Sequence, residues 1–380
     1  MSVYLPNELL TDILARLPVR TLLQIRCVCK SWRSLISSDY FVTFCLNRST
    51  HLNNINHTHL LLIRHCTERE IREHFYSGKK IKKQEHFSLY LDNEGLTEYQ
   101  LNIERRPIAD IGPYFTILGS CNGLVCLIDD SFASDLLYLL NPTISKFVVL
   151  PEPRVTSRSH GHYHRALGFG FDSTTNDYKV VRIVYPYGST TEIDIYSLKQ
   201  GCWRNISVSG PIPCICDSSH VSLNGTIHWV SGGGDFPGQS IVTFNLSTEV
   251  FSWMELPRSL LYKEAQCKLS VAVFQDSLFM FENDYSIGKA SIWMMKQYGV
   301  VESWTNLFSV DFARGGSVKV IGWKRNGEVL LTKDKEMVSI DIKTQKLTNL
   351  GMHGYDEAFC VKTYTESLVL IDKVNGGSHI

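Results

Sequence analysis

Three Asn-Gly pairs, ending at Gly123, Gly225 and Gly327, each open a strand-like run: "NGLVCLID", "NGTIHWVS" and "NGEVLLTKD". The three glycines stand 102 residues apart in both intervals. Midway between them lie two further turn-and-strand phrases, "DSTTNDYKVVRIV" near residue 174 and "QDSLFMFEND" near residue 276. The chain therefore repeats with a period of about 51 residues, and a period in this range marks a radial or stacked array of small structural units.

A second phrase runs in step with the first. It reads strand, polar turn, strand, as "LYLLNPTISKFVVLP", "IDIYSLKQGCWRNI", "IVTFNLSTEVFSWMELP", "SIWMMKQYGVVESWTNLF" and "VSIDIKTQKLTNL", with a weaker sixth copy in "FSLYLDNEGLTEYQL". Each unit is an antiparallel sheet that cannot bury both faces alone. Stacking such sheets radially supplies a core and leaves only short edges, which is a kelch-type β-propeller of six blades or an incomplete set. Trp203, Trp253 and Trp304 recur near the ends of three units and are read as blade packing.

The first 36 residues follow a different period. Leu9, Leu10, Ile13, Leu14 and Leu17 recur at helical spacing, with Asp12 and Arg16 off the stripe. Pro18 ends this helix, because a residue before proline is pushed out of the α region. A second short helix carries Leu22, Leu23 and Ile25, and a third carries Val28, Cys29, Trp32, Leu35 and Ile36. In "RCVCKSW", Cys27 and Cys29 would point to nearly opposite sides of that third helix, so they do not share a metal. Cys29, Trp32 and Ile36 would share one apolar face. About 40 residues rarely make a self-sufficient core. The helical unit must pack on the rest of the chain or dock on another protein.

The N-terminal pattern resembles an F-box almost throughout. The remainder resembles the plant F-box-associated domain of S-locus F-box proteins and related F-box/kelch-repeat proteins. That match rests on "GSCNGLVCL" (119–127), "NPTISKF" (141–147), "GFGFDSTTNDYKVVRIV" (168–184), "NGTIHWV" (224–230), "FNLSTEVF" (244–251), "WMMKQYGVVESW" (293–304) and "YTESLVLI" (364–371). The expected architecture is an α+β multidomain chain. Residues 1–45 form a three-helix F-box, 46–58 a connection, and 59–380 an all-β propeller-like domain.

The resemblance implies a substrate receptor of an SCF-type ubiquitin ligase, without catalytic residues, metal or cofactor of its own. The F-box docks on a Skp1-like adaptor, which leads to a cullin and a RING protein. Leu5, Pro6, Leu9, Ile13, Leu14, Leu17, Pro18, Val19, Leu22, Leu23, Val28, Trp32 and Leu35 match the positions that build the F-box or face the adaptor. The target is a protein, with two biologies in competition: pistil ribonucleases in self-incompatibility, or endogenous regulators such as immune receptors. A binding scaffold outside any ligase and a propeller enzyme are the remaining classes.

The 380-residue chain holds 38 Lys/Arg and 38 Asp/Glu, so no net charge draws it to nucleic acid or an anionic membrane. Residues 1–40 hold five of the basic and three of the acidic residues, and the near balance beyond them does not favour a basic target. The N-terminus "MSVYLPNELL" lacks the pattern of a signal peptide, and the apolar runs are strand-sized. Eleven cysteines without a framework are read as thiols of a reducing compartment, and the expected location is the cytoplasm and also the nucleus.

Other motifs suggest chemistry and are read otherwise. "GSCNG" around Cys121 lacks the helix a nucleophile elbow needs, so Asn122-Gly123 is a hairpin turn. His160, His162 and His164 sit in a loop without nearby ligands. Cys214 and Cys216 are loop thiols. "KKIKK" (79–83) is a solvated loop sooner than a nuclear-localisation patch, and "GGGD" (232–235) lacks the lysine and helix of a phosphate loop. Segments 104–116, 151–165, 209–220 and 232–240 are the candidate recognition loops, from their turn-rich composition.

Overall fold

The computed structural model describes residues 6–56, 60–66, 85–99, 115–129, 135–161, 163–188, 190–208, 210, 212–215, 219–232, 239–261, 267–284, 287–311 and 318–373. Four helices come first: α1 (Asn7–Leu14), α2 (Val19–Ile25), α3 (Lys30–Ile36) and α4 (Asp39–Asn56). Pro6 and Pro18 stand as N-caps of α1 and α2 with extended ψ of 144° and 147°. Their fixed φ suits a helix entry and removes an amide that would lack a partner.

Two expectations change here. Cys29 is not on the third helix but caps it. Its backbone is extended (φ −153°, ψ 163°) and its Sγ accepts the Trp32 amide at 3.5 Å. Val28, just before it, is an exposed turn residue, so the apolar face of α3 is Trp32, Leu35 and Ile36. Second, the stretch 46–58, expected as a connection, is helical through Asn56. No glycine or proline interrupts residues 39–56, so nothing in the sequence ends the helix earlier.

The rest is a six-bladed propeller. Strands β1 (Leu60–Cys66) and β2 (Glu85–Leu91) open it. Blade one is β3 (Phe115–Cys121), β4 (Leu124–Asp129), β5 (Leu137–Asn141) and β6 (Lys146–Val149). After a short helix α5 (Ser157–His160), blade two is β7 (Tyr163–Asp172), β8 (Asp177–Pro186), β9 (Glu192–Ser197) and β10 (Cys202–Ile206). Blade three is β11 (His220–Leu223), β12 (Thr226–Val230), β13 (Ser240–Asn245) and β14 (Phe251–Glu255). Blade four is β15 (Cys267–Phe274), β16 (Ser277–Asp284), β17 (Lys289–Met295) and β18 (Trp304–Asp311). Blade five is β19 (Val318–Trp323), β20 (Val329–Lys333), β21 (Glu336–Ile340) and β22 (Leu347–His353).

Every blade is antiparallel, with its first strand innermost. The sixth is built from both ends of the chain. The last strand, β23 (Cys360–Tyr364), pairs with β1, which pairs with β2. A bridge from Tyr90 to Glu98 adds the start of a fourth edge, which is the weaker sixth copy of the repeat. This closure pins the ring shut and leaves no exposed inner edge.

The period of the sequence is the blade. The turns at 122–123, 224–225 and 275–276 each join an innermost strand to the next, and both central residues have positive φ (Asn122 47°, Gly123 80°; Asn224 50°, Gly225 72°; Gln275 47°, Asp276 59°). That conformation matches the twist of a tight hairpin and favours Asn and Gly. Between blades the core is built of buried apolar side chains, as where blades two and three share Ile183, Ile195, Ile227, Trp229 and Phe244. Gly168 lets Trp229 lie against β7, where its indole donates to Leu167 O at 2.7 Å, and an added Cβ would meet Trp229 at 2.4 Å.

Antiparallel topology sorts the connections into two ends. Turns between first and second strands, and between third and fourth, lie at one end. Loops between second and third strands, and between blades, lie at the other. The first set is mostly short, its longest described member being 296–303; the second contains the longer connections, such as 150–162 and 207–219.

Candidate interaction faces

The helical unit divides the sequence-selected residues in two. Leu14 (2% exposed), Val19 (6%) and Leu22 (0%) are core, packed with Ile36 and Phe41, while Leu17, Leu23, Trp32 and Leu35 are partly buried against them. Pro6, Leu9 (54%), Ile13 (48%), Pro18 and Val28 (67%) are exposed. Leu5 lies outside the described residues. Leu9 and Ile13 are one turn apart and share a face of α1. Asp12 pairs with its own i+4 neighbour Arg16 at 2.6 Å and ties α1 to α4 through Arg48 at 3.2 Å. Large apolar side chains held out in solvent by a folded framework are what a docking helix presents.

The helical unit sits on the short-turn end of the propeller. Ile144, in the 3-10 turn Pro142–Ile144 between β5 and β6, packs against its core. Asn176, in the turn between β7 and β8, donates to Thr43 Oγ1 at 3.5 Å. Both turns belong to the same end, so the exposed helical residues and the long loops are carried by opposite ends of the ring.

At the far end, all four candidate recognition segments join strands: 104–116 enters β3, 151–165 links β6 to β7, 209–220 links β10 to β11, and 232–240 links β12 to β13. Within them, 104–114, 162, 209, 211, 216–218 and 233–238 lie outside the described residues. Three further far-end loops hold exposed apolar side chains: Leu136 (40%), Tyr187 (83%) and Ile287 (46%). Beneath them, Asp135 accepts from the Tyr163 hydroxyl at 2.6 and 2.7 Å and pairs with Arg165 at 2.6 Å and Arg182 at 3.1 Å. Burial opposes the Asp135 charge, but these donors win and hold its carboxyl below the ordinary range. The network locks the loop before β5 to β7 and β8, giving the loops a rigid base. A cavity of about 1240 Å³ is lined by the innermost strands, with Lys268, Lys319, Asp92 and Asp276 among its charged residues.

Comparison with known proteins matches both parts. The description "F-box domain" fits residues 4–44, and "F-box associated beta propeller domain" fits residues 96–371. The chain belongs to the F-box proteins that carry this propeller. Relatives in Arabidopsis thaliana include F-box protein At3g07870, 27% identical over 97% of this chain and 92% of its own length. F-box/kelch-repeat protein At3g23880 is 29% identical over 82% and 81%, and F-box protein CPR1 is 25% identical over 96% and 89%.

With the F-box placed, the other motifs resolve. Cys121 ends β3 and is followed by the expected hairpin turn and strand; burial pushes its thiol up to about 12, far from a nucleophile's range. The expected loop is partly ordered, with His160 ending α5 and His164 on β7; His160 Nδ1 meets Ser159 Oγ at 2.7 Å and His164 Nε2 meets Ile215 O at 2.8 Å, so the two have separate partners, and His162 lies outside the described residues. Cys216, "KKIKK" and 233–235 of "GGGD" also lie outside them. Among the described residues, no group of three His, Cys, Asp or Glu gathers as metal ligands, and no helix is long and apolar enough to cross a membrane.

One tryptophan departs from the packing reading. Trp304 is 7% exposed, and Trp203 packs on Tyr196 and donates to Pro151 O at 2.7 Å. Trp253 is 64% exposed, because β14 is the outermost strand of its blade and no neighbouring blade covers that side chain.

Two buried polar groups escaped the sequence reading. Asp172 accepts from Thr174 N (2.9 Å), Thr175 Oγ1 (2.7 Å), Ser247 Oγ (2.5 Å) and Lys179 Nζ (2.9 Å). His228, wholly buried, meets the Tyr298 hydroxyl at 2.7 Å. Their signals were present in "DSTTNDYK" and "KQYG", but only the fold brings Ser247 and Tyr298 to them from the next blade.

Proposed function

We propose that this F-box protein is the target-recognition subunit of an SCF-type ubiquitin ligase. The F-box docks on a Skp1-like adaptor through Leu9, Ile13 and Val28 with Pro6 and Pro18, and so reaches the cullin and RING protein. The target protein is held by the far-end loops of the propeller, in the cytoplasm or nucleus. Ubiquitin transfer belongs to the other subunits, and this chain supplies position. The observation that carries the reading is the division of the F-box into a buried core and an exposed apolar set at the end opposite the long loops.

A substrate-trapping experiment tests it. Wild type and a Leu9→Asp, Ile13→Asp, Val28→Asp variant are expressed in plant cells, and co-purifying proteins are compared with changes in the proteome. Proteins bound by the variant should accumulate relative to wild type. Bound proteins whose levels are unchanged would make the chain a scaffold outside any ligase. The identity of the trapped protein separates a pistil ribonuclease from an endogenous regulator.

A further inference from the structure

The last described segment, residues 364–373, is shared between the two parts of the molecule. Leu368 (1% exposed) and Ile371 (6%) lie in the same apolar cluster as Leu14, Leu22, Ile36 and Phe41 of the F-box. Leu370 (7%), between them, lies in the cluster that joins blades one and two, with Val369 packed against it. Side chains of this one segment therefore divide between two cores. Leu370 takes a positive φ of 72° to do so, a conformation a leucine adopts only when its surroundings require it.

The segment is anchored on both sides. Asn141, fully buried at the end of β5, donates to Ser367 O (3.0 Å), Ser367 Oγ (3.0 Å) and Val369 O (2.8 Å). Its Oδ1 accepts from Tyr364 Oη at 2.9 Å and from Thr143 N at 3.1 Å. Gly123 leaves the space Ser367 occupies, since a Cβ there would stand 2.1 Å from Ser367 Oγ. On the F-box side Asp372 pairs with Arg26. Arg20 of α2 stacks over Tyr99, whose hydroxyl donates to Glu366 at 3.4 Å.

We propose that residues 366–373 are a structural part of the F-box: they complete its core from the far end of the chain and fix its orientation on the propeller. Leu368 and Ile371 are positioning residues for the adaptor-binding face, 300 residues and more from it in sequence. A consequence is that the ends of the receptor turn as one body. Fixed spacing between target and adaptor follows from the clasp without a stiff linker.

The orientation role rests on the proposed function; the core-completing role does not, and the experiment separates them. In the full chain, Leu368→Ser with Ile371→Ser is compared with wild type and with Ile371→Leu, by amide hydrogen exchange and adaptor binding. Exchange in α1–α3 should quicken at least tenfold in the serine variant, with β12, β16 and β20 unchanged, and Ile371→Leu should restore protection. Adaptor affinity should fall by at least tenfold in parallel. Where the double variant does not accumulate, Leu368→Ala alone is expected to give the same pattern in smaller degree. Unchanged exchange in α1–α3 would overturn the inference. Quickened exchange in a chain whose wild type ignores the adaptor would leave the clasp standing and remove the ligase reading.

Discussion

Replacing Lys179 by methionine tests how the propeller's blades are tied. Lys179 Nζ lies 2.9 Å from Asp172 and 3.2 Å from Glu249, and it also donates to Leu246 O at 2.7 Å. The Asp172 side chain is fully buried and Lys179 is 8% exposed. Removing one partner of a buried pair leaves an uncompensated charge, which costs about 3–5 kcal/mol. Ser247, Thr175 and the Thr174 amide still donate to Asp172, so the lower end, about 3 kcal/mol, is expected. In a domain of this size that corresponds to a fall of about 6 °C in melting temperature. The same change has a pH signature. Burial alone raises the Asp172 carboxyl, but hydrogen bonds from Ser247, Lys179 and Thr175 reverse this and hold it well below the ordinary range. A depressed folded value means stability that is full above the unfolded value near 4 and is lost as pH falls below it. Without Lys179 the depression shrinks, so the acid-induced loss becomes shallower. Adding Asp172→Asn to Lys179→Met should recover part of the stability, and a double-mutant cycle in urea would measure the coupling. A single-variant loss below about 1 kcal/mol with an unchanged acid profile would show that Lys179 does not hold Asp172 ionised.

Other consequences are equally direct. His228 is buried and its imidazole is pushed down to about 4 by desolvation, so stability should be full above about 6.5 and decline as pH falls towards 4; His228→Phe should flatten that slope in urea titrations at several pH values. Tyr298→Phe, which removes the hydroxyl at 2.7 Å from His228, should cost about 1 kcal/mol by the same assay. Gly168→Ala should cost about 1–3 kcal/mol by overpacking Trp229 and Ile227, whereas Gly322→Ala, whose Cβ would meet Val361 at an ordinary 3.5 Å, should be tolerated; thermal melts of the two variants decide it.

The blades were legible because their turns are chemical. Asn122-Gly123 and Asn224-Gly225 need left-handed backbone, and few other pairs supply it, so the period could be counted from residue names. The three F-box helices were legible from apolar spacing, and the division within them was not. Leu9, Ile13 and Leu14 obey one periodicity, but burial depends on the whole cluster that Leu14 joins, and that includes Leu368 and Ile371 from the other end of the chain. Cys29 misled for a local reason: a cysteine at i, i+3, i+7 looks like a core residue, yet its sulfur serves as the cap that starts α3. Leu22 shows the cost of the missing information. A charge there would test core stability and not partner binding, since it is wholly buried.

On the proposed function, the exposed apolar residues of the F-box bind an adaptor. The most direct test is the affinity of purified full-length chain for a Skp1-like adaptor, wild type against Leu9→Asp, Ile13→Asp, Val28→Asp, with melting curves of both. At three exposed positions the substitutions should change stability by about 0.5 kcal/mol or less each, while charges forced into a dry apolar contact cost several kcal/mol. The expected variant melts with wild type and has lost adaptor binding by more than a hundredfold. A variant that melts with wild type and binds the adaptor as tightly would contradict the proposed function.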